Sequence, residues 1–264
     1  MKAGVVSKTL TLLFLALSPL LYLKQSRAQD YTPPPVCERT PKDLRTMAFN
    51  SDFRLSFDND GGILNRGVCW WHARFQRAAW TLSEFRPDQP KPSAEQAARI
   101  IDKIATMSGF VEIPGYKNFK TFSADFHRLI QARLEAWQIR DATLGFAWIE
   151  GLAGDSSLPA DELLKTMDTV FDRVVKQREI VVLKMQVSGM RAHAWLLVDM
   201  HETLSGYDLE IIDSNYASKT YIIHYRIGDE TIARVYPREV RFIPHIIYED
   251  DQERLDRVVR RDCR

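Results

Sequence analysis

Charge of one sign is what this sequence most clearly lacks. Its 36 Lys and Arg residues stand against 35 Asp and Glu, leaving a net charge of +1. A chain so balanced has no electrostatic footprint for nucleic acid or an acidic lipid surface, and neither is expected as a partner. The one locally basic stretch, Arg254, Arg257, Arg260, Arg261 and Arg264, has the spacing of a solvated helix face. Long apolar runs are scarce too. The one candidate, Leu10 to Leu23, is broken by Pro19 and falls short of the roughly 20 residues that span a bilayer. Flanked by Lys2 and Lys8 and followed by Ser26-Arg27-Ala28, it has the layout of a signal peptide over 1–28, with cleavage after Ala28. No cysteine stands at that point, which argues against a lipoprotein. The expected destination is periplasmic or extracellular, with no stable membrane span after cleavage. Internal repeats and low-complexity blocks are absent, and the composition, 45% apolar and 27% charged, is ordinary for one substantial globular domain.

Cysteine is also rare, with three in the chain. An oxidising compartment favours pairing, and an odd count leaves one thiol over. Cys37 and Cys263, near the two ends of the mature chain, make the economical disulfide, and Cys69 is then the free thiol. The other possibility is that all three are small buried hydrophobes.

After the linker Thr32-Pro33-Pro34-Pro35 the chain becomes globular, and Asp58-Asn59-Asp60-Gly61-Gly62 is a strong turn signal. The expected organisation is therefore an N-terminal extension over 29–58 and a domain over 59–264. From Cys69, Trp71, Phe75, Ala78, Ala79 and Leu82 recur at helical spacing, which makes the cysteine the start of a buried helix. Ser93 and Gln96 form a capping box for a second helix, with Ala97, Ile100, Ile101 and Ile104 as its buried stripe. Ser123 can cap a third, with Phe126, Leu129, Ile130, Leu134 and Trp137 facing inward. A fourth runs from Pro159 to Gln177. The pattern then turns to strands, at Ile180 to Val187, Ala192 to Val198 and Leu209 to Ile212, with turns at Ser188-Gly189-Met190 and Glu202 to Gly206. Further strands are expected at Thr220 to Tyr225, Thr231 to Tyr236 and Val240 to Ile247, and a last helix at Gln252 to Arg261. Helices first and an antiparallel sheet second make an α+β fold.

Chemistry enters with an ordered trio. Cys69 follows Gly67-Val68, His193 sits in Ala192-His193-Ala194-Trp195, and Asp213 closes the strand Leu209 to Ile212. A thiolate attacks a carbonyl, an imidazole carries the proton, and an acceptor on the far ring nitrogen fixes the tautomer. A helix N-terminus and a nearby imidazolium both favour the thiolate form of a cysteine. Each residue also has a plain structural role open to it: packing for the cysteine, a satisfied strand histidine, a turn aspartate. Their order on suitable elements of an exported chain favours the chemical role. Cys69 and His72 have metal-pair spacing, but no second pair accompanies them, and no metal or cofactor is expected. Trp70 and Trp195, beside the proposed reactive residues, could shield an ion pair from water.

A cysteine opening a buried helix and followed by Trp, a histidine on a strand after a hairpin, and an aspartate closing the next strand resemble the papain-like cysteine peptidases. The compact bacterial leader-peptidase branch looks most similar, over roughly Asn59 to Asp213. The resemblance implies a nucleophile helix packed on a C-terminal antiparallel sheet, Cys69 as nucleophile, His193 as general base and later acid, and Asp213 as orienting residue. Asn215 is the substitute if the third member is an amide. It also implies a monomeric hydrolase acting on a peptide or protein substrate. One departure is plain: that superfamily usually places a glutamine six residues before the cysteine as oxyanion donor, and this chain has Ile63 there. Asn65 is the nearest amide and the candidate replacement, together with the Cys69 backbone N–H. Loss of such a donor would leave a non-catalytic binding protein of the same fold as an alternative. Gly67-Val68-Cys69 with His193-Ala194-Trp195 is also similar to transglutaminase-like acyl transferases, whose cysteine and histidine lie closer in sequence.

Overall fold

The computed structural model describes residues 31–62, 67–144, 157–187, 191–234, 240–245 and 250–264. The expected signal segment, Ile63, Asn65, Trp148 and the Ser188-Gly189-Met190 turn all lie outside these residues.

The stretch 32–58, expected as an extension, carries a helix and buried anchors. Helix α1 (Pro41–Phe49) opens on a capping box in which Thr40 and Asp43 satisfy each other's backbone N–H groups, with Pro41 at its first position. Met47, Ala48, Phe53 and Leu55 are buried. Arg45 reaches Asp199 at 3.0 Å and the Val174 carbonyl at 2.9 Å, tying this stretch to the C-terminal half.

Helix α2 (Cys69–Leu82) has buried residues around most of its circumference, from Trp71, Ala73 and Phe75 to Arg77 and Trp80. A helix so enclosed is central, and α2 touches α1, α3 (Ala94–Ala105), α5 (His127–Leu144) and α7 (Asp250–Asp262). The Ser93–Gln96 capping box on α3 forms as expected. Ser123 does not cap a helix. Asn118 caps α4 (Phe119–Asp125), and Ser123 lies buried inside it, its hydroxyl accepting from the Ser56 N–H at 3.0 Å. Asn118 takes the cap because its side chain reaches the Thr121 N–H at 2.9 Å at the true start of the turn. A two-stranded parallel pair, β1 (Ser83–Arg86) and β2 (Val111–Pro114), stands among the helices where only helices were expected. Four-residue strands are too short to show a period of two.

The C-terminal half is a six-stranded sheet in the order β6-β5-β4-β3-β8-β7, antiparallel at every pairing, with strands β3 (Val181–Val187), β4 (Arg191–Thr203), β5 (Gly206–Asp213), β6 (Tyr221–Arg226), β7 (Ile232–Arg234) and β8 (Val240–His245). Helix α6 (Ala160–Phe171), prolonged by a π turn to Lys176, sends Leu163, Met167, Val170 and Val174 into a cluster with Leu183, Trp195, Leu197, Leu209 and Ile211. On the reverse face Val182, Leu196, Val198 and Ile212 are buried as well. The fold is α+β, with one apolar cluster among the helices and a second under the sheet. Among the described residues no helix is long and apolar enough to cross a membrane. Cys37 and Cys263 form a disulfide, with Cα atoms 5.3 Å apart, and Cys69 is free. On α7, Leu255 and Val258 turn inward while Arg254, Arg257, Arg260 and Arg261 face solvent, as their spacing predicts.

Candidate functional site

Cys69 is the first residue of α2 and is partly exposed. Val68 precedes it as a buried N-cap, and the first intrahelical bond runs from the His72 N–H to the Val68 carbonyl at 2.9 Å. The Cys69 N–H therefore lies outside the helical ladder, in the turn where the helix presents its positive end.

A polar stripe on α5 holds the chain that leads into the cysteine. Gln131 donates to the Asp60 carbonyl at 2.9 Å, Glu135 accepts from the Gly62 N–H at 3.1 Å, and Gln138 donates to the Gly67 carbonyl at 3.0 Å. These three are spaced at i, i+4 and i+7 and so lie on one helix face. The Glu135 carboxyl is held below the usual range by its bonds to Gln131 and then to the Gly62 N–H.

The sheet supplies the imidazole and the carboxylate. Register pairs Trp195 of β4 with Asp213 of β5, and alternation puts His193 on the same face two residues away. His193 is thus a diagonal neighbour of Asp213 across the hairpin, within reach of a long side chain. Its Nε2 meets Asp213 Oδ1 at 2.6 Å. Asp213 is fully buried, and the same oxygen accepts from the Asn215 N–H at 2.9 Å, so the enclosed carboxylate has more than one hydrogen-bond partner.

Cys69 stands close enough to His193 that its thiol acts on the imidazole. Burial alone pushes this imidazole down; its bond to Asp213 and then the Cys69 thiol, and their charges, outweigh that and raise it to about 9. The Trp195 ring packs edge-on against it, with centroids 6.4 Å apart, and is itself buried. Trp70 is half-buried, with the Arg74 guanidinium 5.6 Å above its ring.

The structure thus brings together Cys69, His193 and Asp213, three residues separated by most of the domain's length. It leaves Asn215 out of contact with the imidazole: its side-chain oxygen accepts from Asn59 Nδ2 at 2.8 Å. Asn65 lies outside the described residues.

Two participants were not anticipated. His72, noted in the sequence only for its spacing from Cys69, is buried beside the trio. Its Nε2 bonds the Phe57 carbonyl at 3.1 Å, while its Nδ1 has no hydrogen-bond partner among the described residues. Burial drives it down to about 4, against the opposing pull of the Phe57 carbonyl and of the Asp213 charge. Asn59, expected only as part of a turn, spans from that turn to the Asp213 loop. The i+3 spacing of His72 from Cys69 was a usable signal; nothing in the sequence pointed to Asn59's partners.

No protein-family profile, no curated protein and no solved structure matches the chain.

Proposed function

We propose that the protein is an exported thiol hydrolase of papain-like architecture, cleaving peptide or isopeptide bonds through a thioester acyl-enzyme. The observation that carries this reading is one imidazole hydrogen-bonded to a buried carboxylate and held up as well by a partly exposed thiol beside it. The Cys37–Cys263 disulfide supports an oxidising destination.

At neutral pH an imidazole raised to about 9 is an imidazolium, and the nucleophile of this chemistry is the thiolate rather than the thiol. His193 in this reading acts first as an acid. Cys69 Sγ attacks the carbonyl carbon, and the oxyanion forms beside the Cys69 N–H. His193 gives its proton to the departing amine as the C–N bond breaks, leaving a thioester. Neutral His193 then takes a proton from water, hydroxide adds to the thioester, and Cys69 leaves as thiolate beside the restored imidazolium. Asp213 holds the ring in the orientation that both steps need.

The test is alkylation by iodoacetamide at mildly acidic pH, with the adduct located by mass spectrometry. Fast labelling at Cys69 that slows in His193→Ala is expected; labelling no faster than an ordinary thiol would overturn the proposal. The transglutaminase-like motif His193-Ala194-Trp195 favours a second reading that differs only in what accepts the acyl group. Interception of the thioester by an added primary amine, in preference to water, would select it.

A further inference from the structure

Asn59 lies ten residues before the nucleophile and touches neither the thiol nor the imidazole in the contacts described, yet it joins the two halves of the site. Its backbone N–H donates to the Ser214 carbonyl at 2.7 Å. Its Nδ2 donates to Asn215 Oδ1 at 2.8 Å, and its Oδ1 accepts from the Val68 N–H at 2.5 Å. Val68 is covalently next to Cys69, and the Asn215 N–H bonds the same Asp213 oxygen that receives His193. The contacts form a chain from Cys69 through Val68, Asn59, Asn215 and Asp213 to His193, whose imidazole lies close enough to the thiol to be raised by it.

We infer that Asn59 is the positioning residue of the site. It fixes the separation of thiol and imidazole by tying the start of α2 to the turn behind Asp213. The inference rests on the thiol-site reading above. Three features argue that this contact is built rather than incidental. The amide uses donor and acceptor at once, so neither a carboxylate nor an apolar residue of similar size reproduces it. Asp58 beside it repeats the tie, accepting from the Ala217 N–H at 2.8 Å. Gly67 is shaped around it: with φ at +85°, a Cβ there would fall 2.3 Å from Asn59 Nδ2 and 2.8 Å from its Oδ1. The glycine supplies both the backbone conformation and the room for the amide.

The nucleophile belongs to the helical half and the base to the sheet, so their separation depends on packing between two apolar clusters unless a short polar link sets it. Displacement of reacting groups by about 1 Å can cost on the order of 100-fold in rate. Asn59 is such a link, contacting the chain immediately before one group and the turn immediately behind the other.

The test follows His193 by imidazole NMR across pH, alongside the Cys69 alkylation rate, in Asn59→Ala, Asn59→Asp and Asn215→Ala. Asn59→Ala is expected to move the His193 midpoint from about 9 toward the ordinary 6.5 and to slow alkylation at mildly acidic pH roughly 10- to 100-fold. Asn59→Asp, which keeps an acceptor for Val68 but loses the donor to Asn215, and Asn215→Ala, which removes only that donor's partner, should shift the midpoint the same way. Combining Asn59→Ala with Asn215→Ala should add little, since Asn59→Ala already cuts the link that Asn215→Ala removes. If Asn59→Ala does not fold, the milder Asn215→Ala decides. A folded variant with an unchanged His193 midpoint would overturn the inference, because a residue that merely supports the turn would lower the melting temperature and leave that midpoint alone. Slow alkylation in the unaltered protein would instead overturn the thiol-site reading, and the midpoint would still report on Asn59.

Discussion

His193 and His72 lie in one enclosed neighbourhood and are pushed in opposite directions. His193 gains two partners that prefer its cation; His72 gains a carbonyl for one nitrogen and loses water from both. Each leaves its own mark on stability. His193 binds its proton more tightly folded than unfolded, so its contribution is complete below about 6.5 and is lost as pH rises through about 9. For His72 the unfolded chain takes up a proton near 6.5 that the fold refuses until about 4. Its effect is a loss of stability as pH falls across that window, reaching about 3 kcal/mol at the acid end. His72→Phe should therefore flatten the acid limb of melting temperature against pH relative to the parent. Parallel acid limbs in the two proteins would show that another group carries the loss. Under the proposed thiol mechanism, Cys69→Ala and His193→Ala should each abolish hydrolysis, with the double variant no worse, because the pair would act as a unit. Asp213→Ala should retain a fraction of the activity. Full activity in folded Cys69→Ala would end the thiol mechanism.

At the scale of elements, α5 and the β4–β5 hairpin do different work. The hairpin is a rigid frame: register alone sets His193 and Asp213 diagonally on one face, and backbone pairs from Trp195–Asp213 to Thr203–Gly206 hold it there. Before Cys69, the described residues Asp60, Gly62 and Gly67 are instead bonded to α5. Glu135 accepts the Gly62 N–H, and Gln138 donates to the Gly67 carbonyl, whose own N–H donates to Gly61 at 2.7 Å. Removing one such bond costs about 1 kcal/mol, so Glu135→Ala should speed amide exchange at Gly62 several-fold while leaving exchange in β4 and β5 unchanged. Equal acceleration in the sheet would mean that Glu135 supports global stability rather than this loop.

At the scale of the whole molecule, two apolar clusters are joined through α2, which touches β4 and β3 as well as α3, α5 and α7. The disulfide adds a covalent tie between residues 226 positions apart. In the chain-entropy account, closing so long a loop restricts the unfolded chain by about 5 kcal/mol. Cys37→Ser with Cys263→Ser should lower stability by roughly that amount, as measured by denaturant unfolding. The bridge lies away from the trio, so the folded variant should keep the parent's Cys69 alkylation rate. A large drop in that rate without unfolding would show that the tie also shapes the site.

That Cys69 opens a helix while His193 and Asp213 stand on neighbouring strands, the Cys37–Cys263 pair and the order of helices before sheet were legible in the sequence. All are carried by local pattern: helical spacing after Cys69, β-branched runs from Ile180 onward, a capping box at Ser93, and cysteine parity. Short elements escaped, because β1 and β2 span four residues each and α4 only seven. Tertiary structure alone decided that Asp213 rather than Asn215 meets His193, since the strand ends at Asp213 and the 3-10 turn Ser214–Tyr216 carries the Asn215 side chain to Asn59. It also decided that His72 is buried beside the trio, that Gln131, Glu135 and Gln138 face the nucleophile loop, and that Asn59 bridges to Asn215. Those contacts join residues 15 to 156 positions apart. Periodicity reports which face of an element is apolar, but not which polar group will stand across from it once distant elements have packed.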